Sequence, residues 1–136
     1  MKLSLIRQTR TNNFDDPEMM NKIQELWKQA SQQLHDPAAC TYGVYFDYAS
    51  DYRGDYSLGV AVEAKDVADT PHSLIDIPAS AAYQIFKVDA QDELGVVKAW
   101  QKVWEQEGAG QLKRAYTVDY EKYNADSTIE IYIAVQ

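Results

Sequence analysis

The last stretch of the chain, residues 114–135, constrains the fold more than any other. It reads RAYTVDYEKYNADSTIEIYIAV, in which two runs rich in β-branched and aromatic residues flank a turn-forming segment, and this pattern predicts a β-hairpin. Glu121 stands in this stretch among four tyrosines. Because burying an unpaired carboxylate is costly, its position predicts a counter-charge, supplied by a neighbouring residue or by a ligand.

The acidity of the chain limits its partners. The 136 residues carry a formal net charge of −8, and they include ten tyrosines and three tryptophans. This charge disfavours direct binding to nucleic acid or to anionic membranes, whose phosphates require a basic surface, and it suits the attraction of cations. Alternatively, the acidity serves only to keep a small domain in solution. The length predicts a single domain, residues 1–136, with its own core.

Cysteine and histidine usage indicates the compartment and disfavours a metal. Cys40 is the single cysteine, so no disulfide can form within the chain, and a reducing, cytoplasmic setting is expected. No apolar run approaches the ~20 residues that span a bilayer. His35 and His72 lack neighbouring ligands, and no glycine-rich phosphate loop is present. We therefore expect neither a metal nor a cofactor.

Hydrophobic periodicity predicts one order of elements, strand-helix-strand-strand, twice along the chain. The first set is expected at residues 3–8, 17–34, 41–49 and 56–63. The second set is expected at residues 81–88, 89–108, 114–123 and 128–135. The chain thus divides into repeat 1 at about 1–63, a linker at 64–80, and repeat 2 at about 81–136.

Both predicted helices have start signals. Asp16-Pro17-Glu18 offers an N-cap, a proline at the first helical position and an acid in the first turn. Asp89 offers the cap of the second helix, with Asp92 and Glu93 in its first turn. Gly108 and Gly110 are expected to end the second helix.

Sequence matches between the two halves favour a duplication. A shift of 73 residues places Trp27 on Trp100, and it also places the run 60–62 on 133–135. A shift of 74 places Asp47 on Glu121. We therefore predict an α+β fold in which a duplicated β-α-β-β module builds an antiparallel, barrel-like sheet with two main helices and pseudo-two-fold symmetry.

Four stretches carry a resemblance to a known family. They are the opening strand before the tryptophan-bearing IQELW helix at 23–27, the IPASAAYQIF run at 77–86, the second tryptophan-bearing helix, and the tail with DYEKY at 119–123 and IEIYIAV at 129–135. Together they resemble the GyrI-like effector-binding domain, the small-molecule-binding part of AraC-type and MerR-type multidrug regulators. Since the first strand begins within the first residues, we expect a free-standing copy of the kind carried on integron gene cassettes.

The resemblance implies a binding site for lipophilic cations. It matches Glu121 to the acidic residue of the family's aromatic pocket, where aromatic faces add cation-π attraction. It also matches Glu130 and Tyr132 to positions that touch ligand. The alternative is that Glu121 is a solvated residue at a strand end, paired with Lys122 or Arg114.

Further candidates for the pocket wall follow from the predicted elements. They are Trp100, Tyr83, Tyr45 and Phe46, while Tyr48 is expected on the other strand face from Tyr45. Asp47 is left open as a second acid. Small residues at Gly43 and Gly59 predict space beside the sheet, unless they only allow a close approach of the backbone.

The sequence is compatible with three functions. The leading prediction is a non-catalytic protein that binds cationic, amphipathic or aromatic drug-like molecules, as a sensor or by sequestration. A second is a small-molecule hydrolase with Glu121 as general base beside Tyr83 or Tyr132. A third is a protein-interaction module, such as a gyrase inhibitor or a domain that docks onto a separate DNA-binding partner.

Overall fold

The computed structural model describes residues 1–34, 39–64 and 73–136. In these ranges the chain forms two helices and seven strands, and the strands make one antiparallel sheet that curls into a half-barrel. In chain order the elements are β1 (Lys2–Thr11), α1 (Met19–Ser31), β2 (Thr41–Phe46), β3 (Tyr56–Glu63), β4 (Leu74–Asp76), β5 (Tyr83–Val88), α2 (Gly95–Gly108), β6 (Asp119–Tyr123) and β7 (Ile129–Ala134).

The strand order of the sheet has the symmetry of a duplication. It is β4-β1-β3-β2-β6-β7-β5. Apart from β4, the first copy runs from the edge to the centre as β1, β3, β2, and the second copy runs from the other edge to the centre as β5, β7, β6. The two copies meet where β2 pairs with β6, with Gly43 opposite Glu121 and Val44 opposite Tyr120. The predicted α+β fold with a duplicated β-α-β-β module is confirmed.

The same side-chain arrangement starts both helices, and it corrects the predicted starts. Asp16 accepts hydrogen bonds from the Glu18 N–H at 2.9 Å and from Lys22 Nζ at 2.6 Å. Asp92 accepts from the Leu94 N–H at 2.9 Å and from Lys98 Nζ at 2.6 Å, 76 residues later in each case. Both aspartates cap a turn that precedes the helix, so the helices begin at Met19 and Gly95 rather than at Pro17 and directly after Asp89.

This offset also changes which residues of the two halves correspond. Between β2 and β3, Tyr42 lies opposite Ala61. Between β6 and β7, Tyr120 lies opposite Tyr132, and extending this register by two residues places residue 118 opposite Ala134. An offset of 73 between β3 and β7 therefore requires an offset of 76 between β2 and β6. Tyr45, not Asp47, is then the counterpart of Glu121, and by the helix offset Val103, not Trp100, is the counterpart of Trp27.

Two predicted boundaries differ because of the backbone. β2 ends at Phe46 and β6 begins at Asp119, because Asp47 and Tyr116 both have a backbone φ of 54°. Residues other than glycine rarely adopt this conformation, and it does not fit a strand. Arg114, the expected start of β6, makes only an isolated bridge to Val135.

The expected linker is only partly described. Of the predicted stretch 64–80, residues 65–72 lie outside the described ranges, and so does His72 with them. Residues 35–37, whose sequence His-Asp-Pro predicts the end of the first helix, also lie outside these ranges. The described remainder contains β4, which pairs with β1. A strand of three residues is too short to show a periodicity, so the sequence did not reveal it. In the described ranges, neither helix is long and apolar enough to cross a membrane.

The sheet separates two cores. We call the side that carries the helices the helix face, and the other side the opposite face. On the helix face, α1 contributes Leu26 and Ala30 to one cluster, and α2 contributes Ala99, Trp100 and Val103 to another. The opposite face has its own buried cluster, formed by Leu3, Leu5, Tyr42, Val44, Ala61, Ile77 and Tyr120. Both faces of the sheet are therefore partly buried.

The glycines predicted to leave space are instead filled by neighbours. A Cβ atom on Gly59 would lie 2.5 Å from Leu5 Cδ2 and 3.3 Å from the Arg7 carbonyl oxygen. A Cβ atom on Gly43 would lie 3.0 Å from Glu121 Oε1 and 3.2 Å from Trp27 Cζ2. The prediction of a cavity beside these glycines is wrong, and the alternative of a close approach is right.

These contacts predict the effect of adding a single methyl group. We expect Gly59→Ala to lower the free energy of unfolding by about 1–3 kcal/mol, because buried Leu5 has to move. Gly108→Ala is the matched control, since no atom lies within 4 Å of its new Cβ and alanine favours the helix by roughly 1 kcal/mol at most. Urea denaturation measures both changes, and equal stability of the two variants would contradict the assigned packing.

Candidate functional site

Glu121 is buried at the centre of the sheet and receives three hydrogen bonds. Its side chain projects from β6 onto the helix face, where the residue is 4% exposed. Oε2 accepts from the Tyr45 hydroxyl and from Trp100 Nε1, both at 2.7 Å, and Oε1 accepts from the Tyr123 hydroxyl at 2.7 Å. All three donors are neutral. The predicted alternative, a solvated Glu121 paired with Lys122 or Arg114, is therefore wrong.

Asp119 lies two residues before Glu121 on the same strand and the same face, and its charge is compensated by an arginine. It is fully buried, and its Oδ2 lies 2.8 Å from Arg114 Nη2. Tyr48 donates a hydrogen bond of 2.5 Å to the same oxygen, and the Ala134 N–H donates to Oδ1 at 2.7 Å. Within the described ranges, Asp119 has a cationic partner and Glu121 has none.

Arg114 places a positive charge among aromatic rings. Its guanidinium carbon lies 4.3 Å from the ring centre of Tyr116 and 5.9 Å from those of Tyr48 and Trp100. Nη1 lies 3.5 Å from a carboxylate oxygen of Glu107. The geometry is that of a cation-π cage occupied by a side chain of the protein itself.

A cavity of about 110 Å³ opens between the two helices, above these groups. It is lined by Asn13, Ile23, Tyr45, Tyr48, Asp51, Tyr52, Tyr56, Trp100, Trp104 and Arg114. Tyr45 and Trp100 thus have one side on the cavity and donate to Glu121 with their polar atoms. The carboxylate lies directly behind the aromatic wall of the cavity.

The structure brings together three of the seven residues predicted for the site. Glu121, Tyr45 and Trp100 meet on the helix face. The other four, Phe46, Tyr83, Glu130 and Tyr132, lie on the opposite face. Side chains alternate along a strand, so Tyr132 and Glu130 cannot share the face of Glu121, which pairs with Ile131. Asp47 lies apart from both groups, with its side chain 78% exposed and 3.5 Å from Arg10.

The four residues on the opposite face have partners of their own. The Tyr120 and Tyr132 rings stack with centroids 4.6 Å apart, and Tyr83 meets both rings edge-on. Glu130 accepts a hydrogen bond from Asn124 Nδ2 at 3.2 Å. Phe46 packs against the buried cluster of this face.

Several lining residues escaped the sequence analysis. Tyr48 was expected on the other strand face from Tyr45, yet both line the cavity, because β2 has ended and the positive φ of Asp47 redirects the chain. Arg114 was considered only as a partner of Glu121. The sequence signal that could have assigned Arg114 elsewhere is Asp119. Residues 119 and 121 must share a strand face, so Asp119 was a second acid available to pair with Arg114.

The tyrosine donors around Glu121 hold their protons tightly. Burial, the nearby Glu121 charge and the hydrogen bond to it raise the pKa of Tyr45 well above its usual range, and the same causes raise the pKa of Tyr123. Burial and the Glu121 charge raise the pKa of Tyr56 to about 12. These hydroxyls therefore remain hydrogen-bond donors at neutral pH. In the described ranges, no cluster of three His, Cys, Asp or Glu residues could hold a metal ion.

Comparison with known proteins places the chain in a family. The sequence pattern of the Cass2 family, described as integron-associated effector binding proteins, matches residues 6–135. The chain belongs to the Cass2 family. Almost its whole length takes part in the match, including both helices and all strands from residue 6 onward.

Individual relatives agree with this membership of the Cass2 family. The chain is 28% identical over 125 residues to YobU of Bacillus subtilis strain 168, which carries the name of a transcriptional regulator, and the match covers 82% of this chain and 76% of YobU. It superposes on the integron cassette protein VCH_CASS2 of the Vibrio cholerae mobile metagenome with a TM-score of 0.76 and 28% identity, covering 100% of this chain and 90% of the other.

A more distant neighbour shows the same fold. SAV2435, solved bound to tetraphenylphosphonium, superposes with a TM-score of 0.71 at 18% identity, covering 100% of this chain and 88% of that chain. The fold of this Cass2-family protein is thus shared beyond clear sequence similarity.

The raised tyrosine pKa values predict a loss of stability at alkaline pH. Burial raises the pKa of Tyr56 and of Tyr83 from 10 to about 12. A group with a raised folded-state pKa contributes stability that is present below pH 10 and is lost as the pH rises through 12. We expect the free energy of unfolding to fall across this window, and Tyr56→Phe to weaken that fall. Tyrosinate absorbance checks it, and ionisation of all ten tyrosines near pH 10 in the folded protein would contradict it.

Proposed function

We propose that this protein binds cationic, aromatic small molecules in the cavity between α1 and α2, with Glu121 as the counter-charge. One observation carries the proposal: Glu121 is a buried carboxylate whose partners in the described ranges are all neutral donors. Asp119, on the same strand, has a cationic partner. Of these two buried acids, Glu121, which lies behind the Tyr45 and Trp100 wall of the cavity, is therefore the one without a counter-charge among the described residues.

The energetics favour a ligand that brings this charge. Three hydrogen bonds compensate part of the cost of removing a carboxylate from water, but among the described residues none that bonds to Glu121 carries a positive charge to offset the rest. A cation in the cavity would supply it across a short, dry distance. The faces of Tyr45, Tyr56 and Trp100 would add cation-π attraction of roughly 0.5–2 kcal/mol for each well-placed ring.

The size of the cavity implies that binding involves rearrangement of its wall. Its volume of about 110 Å³ is below the ~300–1,000 Å³ typical of sites for drug-sized ligands. Trp104 and Tyr52, which line it, are 41% and 39% exposed, so they are the wall residues that we expect to move. A cation that reaches Glu121 would replace the hydrogen bond of Tyr45 or Trp100 on Oε2.

The comparisons support a binding role of this kind. Membership of an effector-binding family indicates a small-molecule ligand, and the fold neighbour SAV2435 was solved with a lipophilic cation. The name of YobU supports a link to transcription. We therefore propose a non-catalytic cytoplasmic sensor or sequestering protein, which as a sensor would act on gene expression through a separate DNA-binding partner.

A binding experiment with paired variants tests the role of Glu121. We expect tetraphenylphosphonium to quench the tryptophan fluorescence of the wild-type protein, because Trp100 and Trp104 line the cavity. Glu121→Gln should weaken binding at least about tenfold, which corresponds to ~1.4 kcal/mol. Glu130→Gln is the matched control, since it removes one charge from the opposite face and should leave the affinity within about twofold.

The outcomes separate the two faces of the sheet. Unchanged affinity in Glu121→Gln would exclude the assigned counter-charge. Loss of affinity only in Glu130→Gln would move the site to the opposite face, where Tyr83 and Tyr132 lie.

A stability measurement on the same residue gives an independent test. Glutamine can direct its oxygen to Tyr45 and Trp100 and its NH2 group to the Tyr123 hydroxyl oxygen, and it removes the buried charge, so Glu121→Gln should be at least as stable as the wild type at neutral pH. Glu121→Ala leaves three buried donors without an acceptor and should lose about 1–3 kcal/mol or more. Urea denaturation measures both, and a strong destabilisation by Gln would show that the charge serves the fold instead of a ligand.

A further inference from the structure

The guanidinium of Arg114 has unused capacity to donate hydrogen bonds. It makes a bond of ordinary length to Asp119, but in the described ranges Nε is buried without any partner. Nη1 lies 3.5 Å from Glu107, which is an ion-pair distance beyond that of a good hydrogen bond. A buried donor without an acceptor is unfavourable, so this arginine gains from any acceptor brought to it.

Arg114 also lies where a ligand could use that capacity. It lines the cavity together with Trp100, although its side chain is only 3% exposed. Trp100 donates from its indole nitrogen to Glu121, and its ring centre lies 5.9 Å from the guanidinium carbon of Arg114. The Glu121 carboxylate and the Arg114 guanidinium therefore both lie close to one indole ring, so an aryl ring stacked on Trp100 would be near both groups.

The charges around Arg114 determine the kind of acceptor that it would take. Asp119 at 2.8 Å and Glu107 at 3.5 Å already balance its charge. A carboxylate on the ligand would add a third anion beside one guanidinium and would be repelled. A neutral carbonyl oxygen accepts a hydrogen bond without that repulsion.

We propose that Arg114 is a specificity-determining residue, which selects aromatic cations that also carry a neutral acceptor oxygen such as a carbonyl. This inference rests on the binding site proposed above. The cation faces Glu121, the carbonyl oxygen accepts from the Arg114 guanidinium, and Trp100 stacks between them. The site then distinguishes ligands of equal charge by the position of one oxygen atom.

Two probes of equal charge and similar shape test this selection. They are (para-acetylphenyl)triphenylphosphonium and (para-isopropylphenyl)triphenylphosphonium, which differ in that only the first has a carbonyl. We expect the wild-type protein to bind the acetyl compound roughly tenfold more tightly, as for a hydrogen bond to a charged donor. Apolar burial alone would favour the isopropyl compound, so the preference cannot come from hydrophobicity. The para-carboxyphenyl analogue should bind more weakly than either.

A spectroscopic measurement on the wild-type protein avoids dependence on a variant. All four arginines, residues 7, 10, 53 and 114, lie in the described ranges, and Arg114 is the buried one. Its Nε–H resonance in a nitrogen-15 spectrum should therefore be resolved by slow exchange with water. We expect it to shift on addition of the acetyl compound more than on addition of the isopropyl compound.

A conservative variant gives the complementary result. Arg114→Lys keeps the charge beside Asp119 but loses the planar fork, so the preference for the acetyl compound should fall to within about twofold. Equal binding of the two probes by the wild-type protein, with an unmoved Nε–H resonance, would overturn the role of Arg114 and leave the cation site intact. Failure of both probes to bind would instead overturn the proposed function itself.

Discussion

The fold is arranged around a buried carboxylate, Glu121, whose hydrogen-bond donors in the described ranges are all neutral. Glu121 lies where the two copies of the module meet, and strands, helices and loops each contribute to enclosing it. Tyr45 comes from the first copy, Trp100 from the second helix and Tyr123 from its own strand. Gly43 is needed because its missing Cβ leaves room for Oε1. The hydrogen bonds hold the carboxylate in place, and the absence of a cation among its described partners is the basis of the proposed binding role.

Glu121 lies next to the pseudo-two-fold axis, where the two halves of the chain carry different residues. Gly43 and Glu121 lie directly opposite each other across the central strand pair, on the same face. Opposite side chains in such a pair stand about 4.5–5.5 Å apart, so a second carboxylate at position 43 would meet the first at close range. With the offset of 76 residues, the first copy has Tyr45 at the position of Glu121, and Tyr45 donates a hydrogen bond to that acid. The sequence symmetry therefore breaks here, with the acid in the second copy and a donor in the first.

Arg114 and Glu121 differ in whether the protein compensates their charges. Arg114 is neutralised by Asp119 and Glu107 and surrounded by aromatic rings, so its charge is already part of the protein's own network. In the described ranges, the hydrogen-bond donors to Glu121 are neutral hydroxyl and indole groups. Of the two carboxylates, which lie two residues apart on one strand, Asp119 is the one that pairs with Arg114. The strand supplies the spacing, and the chain before β6 brings the arginine to Asp119.

The sequence by itself determined the order of the elements apart from β4, the duplication and the family resemblance, and it singled out Glu121, because hydrophobic periodicity and local aromatic context depend on neighbouring residues. It could not determine the partners of that residue. Strand alternation showed that Tyr132 and Glu130 lie opposite the isoleucine face, but only the pairing register showed that Glu121 lies on the isoleucine side with Ile131. The offset between the copies, the positive φ of Asp47 and the closeness of Tyr45 likewise depend on contacts between residues far apart in the chain. Such contacts are decided by the packing of the whole sheet and not by any local pattern.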